Sequence, residues 1–443
     1  SLRGLRSMQS PRTDQHDDPS EYEPRHSIRK YETLVPDNED GDESTEHDAA
    51  LKLLEEALGD IPRAEDLHQL ASKSRVDGPF HWIPRYNHTS WKEAQRMSMS
   101  MARTTKPPGA SAAPPMSSTP SAAEGEPVLA LRDSLLLSQR SSTIARQMGM
   151  IERELMASID WSELSEPSWD QHTVRQEQWQ LEYQDYVMFR IRQTMNDEPS
   201  EGQKDALRQT IHGRGIHMLI ARFNRTCAWV ASHIVRSNNI QERVAIVNKF
   251  IRIAWHCYRQ GNMESLCQIM FGLQSPWIAR LQQTWEQVSL WELRAFEALR
   301  RFTSPREQFA FLRYSMREAI ETNIPSRRFS PLTTSSSPYV PFFGQFVSDL
   351  SAIDSLASFV DASGMPNTMP LYDDQELSLS WDALVNVYRL RIKSHIVREF
   401  ITLQRCQRQA PAPPMELPIL IEVLQLDTLS AMAIQSTSLA LEP

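Results

Sequence analysis

The chain has 443 residues, enough for roughly two or three domains, and a formal net charge of −9. Nucleic-acid-binding proteins usually carry a basic face or stripe, and none is visible in this acidic sequence, so DNA and RNA are disfavoured as partners. The hydrophobic fraction of 40% and the charged fraction of 23% are typical of a soluble globular protein with additional disordered sequence.

The N-terminal residues are polar and acidic. Residues 1–48 cannot bury enough apolar surface to offset the entropy of the chain, and we predict a disordered acidic tail. A short amphipathic helix is predicted over Ala49–Leu58, because Leu51, Leu54 and Leu58 fall on one helical face.

The composition then changes twice before the main domain. Residues 49–103 contain the short helix and an irregular region. Residues 104–128 are rich in Pro, Ser and Ala, which is the composition of a linker and marks a domain boundary. We therefore predict one large domain over 129–443.

This domain is predicted to be all-α. Apolar residues recur at three- and four-residue spacing over long stretches, as in Ile216, Leu219, Ile220 and Phe223. No stretch shows sustained two-residue alternation, and no internal repeat of fixed period is present.

The four cysteines lack CxxC spacing and lie in apolar-periodic segments. We interpret them as free, buried thiols in a reducing compartment. No apolar run reaches the roughly 18–20 residues needed to span a bilayer, and the N-terminus has no apolar stretch typical of a signal peptide. We predict a cytoplasmic protein. The cysteines are Cys227, Cys257, Cys267 and Cys406.

Motifs of covalent chemistry are missing. The sequence contains no GxxxxGK(S/T), GxGxxG, HExxH or GxSxG pattern. His256, Cys257 and Cys267 are close in sequence, but helical spacing scatters their side chains, so we predict no metal site. Glu152 and Glu154 are interpreted as part of a solvated helix face. The sequence thus predicts neither a cofactor nor an enzyme with covalent chemistry.

Four stretches of the main domain form an ordered set of motifs. They are RQMGMIERELMASI at 146–159, the segment 220–285 with RFNR at 222–225, KFIRIA at 249–254 and NMESLCQIMFGL at 262–273, then VPFFGQFVSDL at 340–350, and SLALEP at 438–443. In this order and spacing they resemble the catalytic domain of Ras-type guanine-nucleotide exchange factors, such as Son-of-sevenless and its fungal relatives, over roughly 130–443.

The resemblance implies a multi-helix bowl with a protruding helical hairpin. In the family the hairpin enters a Ras-like GTPase, displaces its first switch and occludes the Mg²⁺ and α-phosphate region, while the bowl holds the second switch. The arms of the hairpin would be about Gly344–Phe359 and Leu384–Arg405. GDP and GTP would be bound by the partner GTPase.

The resemblance also implies three groups of functional residues. The hairpin wedge would comprise Ser348, Asp349, Ser351, Ala352, Asp354 and Ser355. The GTPase-binding residues would be Arg280, Gln308, Arg313, Lys393 and His395. The residues that support the hairpin would be Phe342, Phe343, Val347 and Leu350.

Two positions depart from the family pattern. Ser355 follows Asp354 where the family usually has a second acidic residue, and Gln308 stands where it usually has Asn. These departures support one alternative, a non-catalytic protein that binds a GTPase without releasing its nucleotide. A second alternative is a helical adaptor that recruits partners through its acidic tail and Pro-rich linker. Peripheral recruitment to a membrane is left open.

Overall fold

The computed structural model of the chain describes most of the predicted main domain and one helix upstream of it. Residues 1–40 of the predicted tail and the predicted linker at 104–128 lie outside the described residues. The described residues are 41–60, 135–165, 174–195, 202, 214–305, 308–322, 338–361, 363–365, 384–410 and 413–442.

The first eight helices lead from the N-terminal region into the centre of the domain. They are α1 (Gly41–Asp60), α2 (Leu135–Ser138), α3 (Ser141–Ser158), α4 (Trp161–Ser165), α5 (Val174–Met195), α6 (Gly215–Arg236), α7 (Ile240–Arg259) and α8 (Met263–Leu273).

Among the described residues, the remaining elements are eight helices and one pair of two-residue strands. The prediction of an all-α fold is confirmed for the described residues. These elements are α9 (Pro276–Ala279), α10 (Gln282–Glu286), α11 (Leu290–Phe302), α12 (Ala310–Thr322), α13 (Phe343–Asp354), β1 (Phe359–Val360), β2 (Leu384–Val385), α14 (Val387–Gln409), α15 (Leu417–Gln425) and α16 (Ala431–Leu441).

Four helices begin at polar side chains that cap their first turn. Asn239, Asn262 and Asn386 accept hydrogen bonds from backbone N–H groups of α7, α8 and α14 at 2.9, 3.1 and 3.1 Å. Ser430 caps α16 in the same way at 3.2 Å. Each cap satisfies a backbone donor that has no partner inside the helix, and this local chemistry defines where the helix starts.

The centre of the core is formed by α3, α6, α7 and α8, which pack against one another. Trp229 of α6 and Phe250 of α7 meet edge to face, with ring centroids 5.1 Å apart. Gly272 allows α8 to approach α6 closely. A Cβ atom at this position would lie 2.8 Å from Cβ of Val230 and 2.9 Å from the carbonyl oxygen of Cys227.

All four cysteines are free thiols, as predicted. Cys257 and Cys267 are buried, whereas Cys227 and Cys406 are only partly buried, so the prediction of burial is wrong for the latter two. Burial raises the pKa of the Cys257 and Cys267 thiols. A raised pKa keeps a thiol protonated and unreactive, which fits a packing role.

Helix α1 is longer than its leucine spacing predicts. Leu51, Leu54 and Leu58 are buried, but the helix begins at Gly41, so residues 41–48 belong to it rather than to a disordered tail. Residues 41–48 lack apolar periodicity, and Glu46 and His47 contact the domain through a polar and an aromatic side chain. The composition of the segment could not reveal those contacts. Among the described residues, no helix has both the length and the apolar character needed to cross a membrane.

Candidate functional site

The predicted hairpin is formed by α13 and α14, which pack against each other. Phe400 of α14 lies edge-on to both Phe343 and Phe346 of α13, with ring centroids 5.6 and 5.3 Å apart. Val347 and Leu350 are also buried. This apolar contact fixes the position of one arm relative to the other, because each aromatic ring contributes a large buried area.

The outer ends of the arms differ from the predicted helices. The prediction extended the first arm to Phe359 and began the second at Leu384, but Phe359 pairs with Val385 and Val360 with Leu384 as antiparallel strands. Asn386 reinforces the pair, since its side chain donates to the carbonyl of Ala357 at 2.9 Å. These pairings between the two arms satisfy backbone groups that a longer helix would have satisfied internally.

An aromatic cluster holds the start of α13, which we call the hairpin root. The ring of Phe342 contacts the rings of Phe223, Phe271 and Phe309, with centroids 5.8, 6.1 and 5.2 Å away. The same ring lies over Gly344, where any Cβ atom would overlap it. The glycine is therefore required by the position of Phe342.

A buried polar network also reaches the hairpin root. The backbone N–H of Phe343 donates to Oε2 of Glu264 at 2.7 Å. The amide of Gln268 connects Glu264 to Glu152, and Glu152 accepts from Arg222 at 2.6 Å. The side chains of Glu152 and Arg222 are both 0% exposed. A buried carboxyl oxygen that accepts from a backbone N–H at the start of a helix satisfies a donor that has no partner inside the helix, and so favours that helix position.

Burial, with the nearby charge of Glu152, raises the pKa of Glu264 to about 8. Arg222 compensates the charge of Glu152 and also donates to the hydroxyl of Tyr183 and to the carbonyl of Val423. The interpretation of Glu152 as a solvated residue is wrong. It faces the core because α3 packs against α6 and α8, and this is a tertiary contact that helix spacing does not reveal. The sequence feature that pointed to this network was the RFNR stretch at 222–225, which begins with Arg222.

The predicted wedge face is only partly accessible. Ser348 and Ala352 are 6% and 7% exposed, and Ser351 is half-buried. Ser355 is exposed, and its hydroxyl donates to the carbonyl of Ala352 at 2.6 Å. The arm therefore presents its most accessible predicted wedge residue at the end of α13.

Asp349 is held by Arg313 in a two-bond ion pair. The two terminal nitrogens of Arg313 lie 2.6 and 2.7 Å from the carboxylate oxygens, and its Nε donates to the carbonyl of Gln308 at 2.7 Å. Gln308 and Phe309 have φ angles of 57° and 60°, which is uncommon for residues with a side chain. Arg313 thus joins an unusual turn to the hairpin, and three of the predicted site residues meet here.

Asp354 is held by two cations of the second arm. Its Oδ1 accepts from Arg389 and from Lys393, each at 2.7 Å. Lys393 also donates to the carbonyl of Ser165 at 2.7 Å, which connects the hairpin to α4. Lys393 therefore makes internal contacts, whereas His395 is exposed and lies 3.4 Å from Glu399 on the same helix.

Arg280 binds the C-terminal part of the chain. Its Nη1 donates to the carbonyl of Ser438 at 2.7 Å, and the Ser438 hydroxyl donates to the carbonyl of Trp277 at 2.6 Å. Glu442 accepts from the backbone N–H and the hydroxyl of Thr284 at 3.2 and 2.8 Å. These bonds connect the SLALEP stretch to the segment 220–285. The described side-chain bond of Arg280 goes to Ser438 and not to the hairpin.

Comparison with known proteins identifies the family. The sequence matches the RasGEF domain over residues 143–391, which is more than half of the chain. The chain belongs to the RasGEF family.

Several curated relatives resemble parts of this RasGEF chain. Guanine nucleotide exchange factor LTE1 of Kluyveromyces lactis is 26% identical over 216 residues, covering 49% of the chain and 13% of the relative. Rap guanine nucleotide exchange factor 5 of Homo sapiens is 36% identical over 94 residues, covering 21% and 16%. Ras-specific guanine nucleotide-releasing factor 1 of Mus musculus is 27% identical over 222 residues, covering 50% and 15%. The matched region spans less than a fifth of the length of these three relatives.

The RasGEF match ends within α14, but the contacts of the domain continue beyond it. Tyr183 donates to the carbonyl of Leu424, and Arg225 donates to the carbonyls of Gln425 and Leu426, all at 3.1 Å. Helix α15 is thus bonded to the matched region, and α16 is bonded to it through Ser438. The predicted boundary of the domain at residue 129 stays a prediction.

The outer end of the RasGEF hairpin exposes apolar side chains, and we call this part the hairpin tip. Five apolar residues around β2 and the start of α14 are about half exposed, in contrast to the enclosed root. Across the described part of the chain, no group of three or more His, Cys, Asp or Glu side chains is placed to bind a metal ion. The exposed residues of the tip are Leu384, Val385, Val387, Tyr388 and Leu390.

Proposed function

We propose that this RasGEF chain is a guanine-nucleotide exchange factor that opens a Ras-like GTPase with its helical hairpin and promotes GDP release. The observation that carries the proposal is the family match combined with the anchored root of α13. The root is held by Phe342, by the Phe343–Phe400 contact and by Glu264, so α13 can transmit force to a partner.

Exchange requires no covalent chemistry. A GTPase holds its nucleotide through phosphate contacts and Mg²⁺. A protein that binds the nucleotide-free GTPase best must lower the affinity of the GTPase for nucleotide, and bound nucleotide lowers the affinity of the GTPase for that protein by the same factor. A rigid wedge and a broad interface suffice for this coupling. The proposal therefore needs no nucleophile, base or cofactor in the exchange factor.

The charges of α13 favour a steric mode of opening. Its two carboxylates, Asp349 and Asp354, are engaged by Arg313 and by Arg389 and Lys393. Neither is free to compete with phosphate or to attract Mg²⁺ while these pairs persist. We propose that the bulk of α13 near Ser355 displaces the first switch, and that Asp349 and Asp354 position the arm.

The test is nucleotide release with the full chain. Fluorescent GDP is loaded on a panel of Ras-family and Rap-family GTPases, and its release is followed with and without the protein. We expect acceleration on at least one GTPase. Ser355→Arg places a bulky charge on the exposed end of α13 and should slow the accelerated release about tenfold, a loss of about 1.4 kcal/mol.

Ser436→Arg is a matched control for this variant. Ser436 is also exposed on a helix, and its hydroxyl donates to the carbonyl three residues earlier, as the hydroxyl of Ser355 does. We expect Ser436→Arg to leave release unchanged. Equal release rates for the two variants would contradict the assignment of the wedge to α13.

A second candidate function is GTPase binding without exchange. The engagement of both carboxylates of α13, together with Ser355 in place of an acid, favours it. Binding of a nucleotide-free GTPase with no acceleration of release on any member of the panel would establish this alternative. Absence of binding to every GTPase would overturn both functions.

A further inference from the structure

Helix α1 lies far upstream of the matched region 143–391, yet its apolar face belongs to the core of the domain. Leu51, Leu54 and Leu58 are 0%, 1% and 2% exposed. They are spaced three and four residues apart, which places them on one face of the helix. The helix packs against α11, so a segment outside the family domain covers part of its apolar surface.

The edges of this contact are charged. Glu55 accepts two bonds from Arg294 of α11, at 2.7 and 3.2 Å. Glu46, two turns and a half earlier, accepts from Arg259 of α7 at 2.6 Å. Acidic residues of α1 thus meet basic residues of the domain at both ends of the contact, and this complementarity defines the direction in which the helix lies.

An aromatic site receives the first half of α1. The ring of His47 lies 5.1 Å from the ring of His256 and 6.1 Å from the ring of Trp291, measured between centroids. Trp255 lies 6.4 Å from it. Hydrophobic and aromatic contact at the centre with ion pairs at the rim is the arrangement that an amphipathic helix makes when it binds a protein surface.

We propose that the surface formed by α7 and α11 (Trp255, Arg259, Trp291 and Arg294) is a separable docking site for an acidic amphipathic helix, and that its ligand is the α1 segment of this chain. We call it the α7–α11 surface. A covalent connection gives α1 a high effective concentration, so a modest intrinsic affinity keeps it bound. An isolated helix of this length is marginally stable in water, so α1 folds as it binds.

The test separates α1 from the domain without removing it. A protease site is inserted into residues 104–128 of the full chain, the purified protein is cut, and binding of the N-terminal fragment is followed by size-exclusion chromatography over a dilution series. A fluorescent peptide of residues 41–60 then competes with the fragment. We expect reversible binding with a dissociation constant of roughly 1–100 µM. In the uncut chain the covalent connection keeps α1 at a high effective concentration near the surface, so a tighter intrinsic affinity is not needed.

Charge reversal tests the assigned surface. Glu55→Arg should weaken binding of the fragment about tenfold, since it places two cations together, and the double variant Glu55→Arg with Arg294→Glu should restore most of the affinity. Glu56→Arg is the matched control, because Glu56 is the neighbouring residue and is exposed. We expect this control to bind like the unmodified fragment.

Three outcomes would overturn the proposal. The N-terminal fragment could separate from the cut protein at every concentration up to hundreds of micromolar, which would mean that the domain has no docking site for it. The fragment could fail to exchange with the labelled peptide while the cut protein still unfolds in one cooperative transition, which would make α1 an integral part of the fold. Equal affinities of the Glu55→Arg and Glu56→Arg fragments would place the helix elsewhere.

Discussion

The root and the tip of the hairpin differ in how far their apolar side chains are buried. At the root, Phe342 and Phe343 are buried, and the N–H of Phe343 is bonded to the fully buried network of Glu264, Glu152 and Arg222. At the tip, apolar residues such as Leu384 and Leu390 are about half exposed. A projecting element can apply force to a partner only if one end is fixed and the other is free to make contacts. We therefore expect substitutions at the root to lower stability and activity more than substitutions at the tip.

The largest expected effect comes from breaking the network behind the root. Arg222→Leu leaves the buried carboxylate of Glu152 without its cation and should lower the free energy of unfolding by about 3–5 kcal/mol. Urea unfolding at neutral pH measures this. Arg225→Leu on the same helix is the control, because Arg225 donates only to carbonyls at a partly exposed site, and it should cost about 1 kcal/mol. Similar costs for both variants would show that the network does not stabilise the fold.

The second effect concerns the glycine of the root. Gly344→Ala places a Cβ atom inside the ring position of Phe342, and the ring must move out of its contacts with Phe309. We expect a loss of about 1–3 kcal/mol in stability, as for other overpacked sites, and slower nucleotide release. Ser351→Ala on the same helix serves as the control and should change stability by less than about 0.5 kcal/mol. A stable Gly344→Ala protein with full activity would contradict the rigid root.

The third prediction concerns Asp354, which lies closer to the tip. Asp354→Asn weakens the bonds from Arg389 and Lys393, which are mostly buried, and should cost about 1–2 kcal/mol. Because α13 would lose its tie to α14 near the tip, we expect nucleotide release to fall by a larger factor than stability alone explains. Release assays at a temperature where the variant is fully folded separate the two quantities. If release is unchanged there, Asp354 is a structural residue only.

The last prediction is a pH dependence that originates at the root. The folded chain raises the pKa of Glu264 from 4.5 to about 8, so the unfolded chain gives up this proton at lower pH than the folded chain does. Stability must therefore fall as the pH rises from about 4.5 through about 8. Glu264→Gln removes this contribution.

Thermal unfolding at pH 5.5 and 8.5 checks the sign. We expect Tm of the unmodified protein to fall further than Tm of Glu264→Gln between these values, because only the unmodified protein carries the carboxyl group that ionises over this range. An equal fall for the two proteins would mean that Glu264 is ionised in the folded state throughout this range, and would contradict the raised pKa.

Much of the helical framework could be predicted because its signals are local. Apolar residues three and four positions apart, together with caps such as Asn262 and Asn386, specify a helix within a few consecutive residues. The VPFFG stretch likewise placed the start of α13. The site was harder to predict, since the partners of its charged residues are distant in sequence.

Particular residues show where local reasoning ended. Arg280 bonds to Ser438, which lies 158 positions away, and Lys393 bonds to the carbonyl of Ser165, 228 positions away. The roles of both residues in GTPase binding stay predictions. Glu152 has the spacing of a surface residue but is buried against Arg222, 70 positions away. The sequence by itself determined the central part of most helices and which face of each is apolar, because both depend on neighbours within one or two turns. Only the tertiary structure decided which charges pair, which of the predicted wedge residues stay exposed and where α1 docks, because these depend on contacts between helices that the chain brings together over long distances.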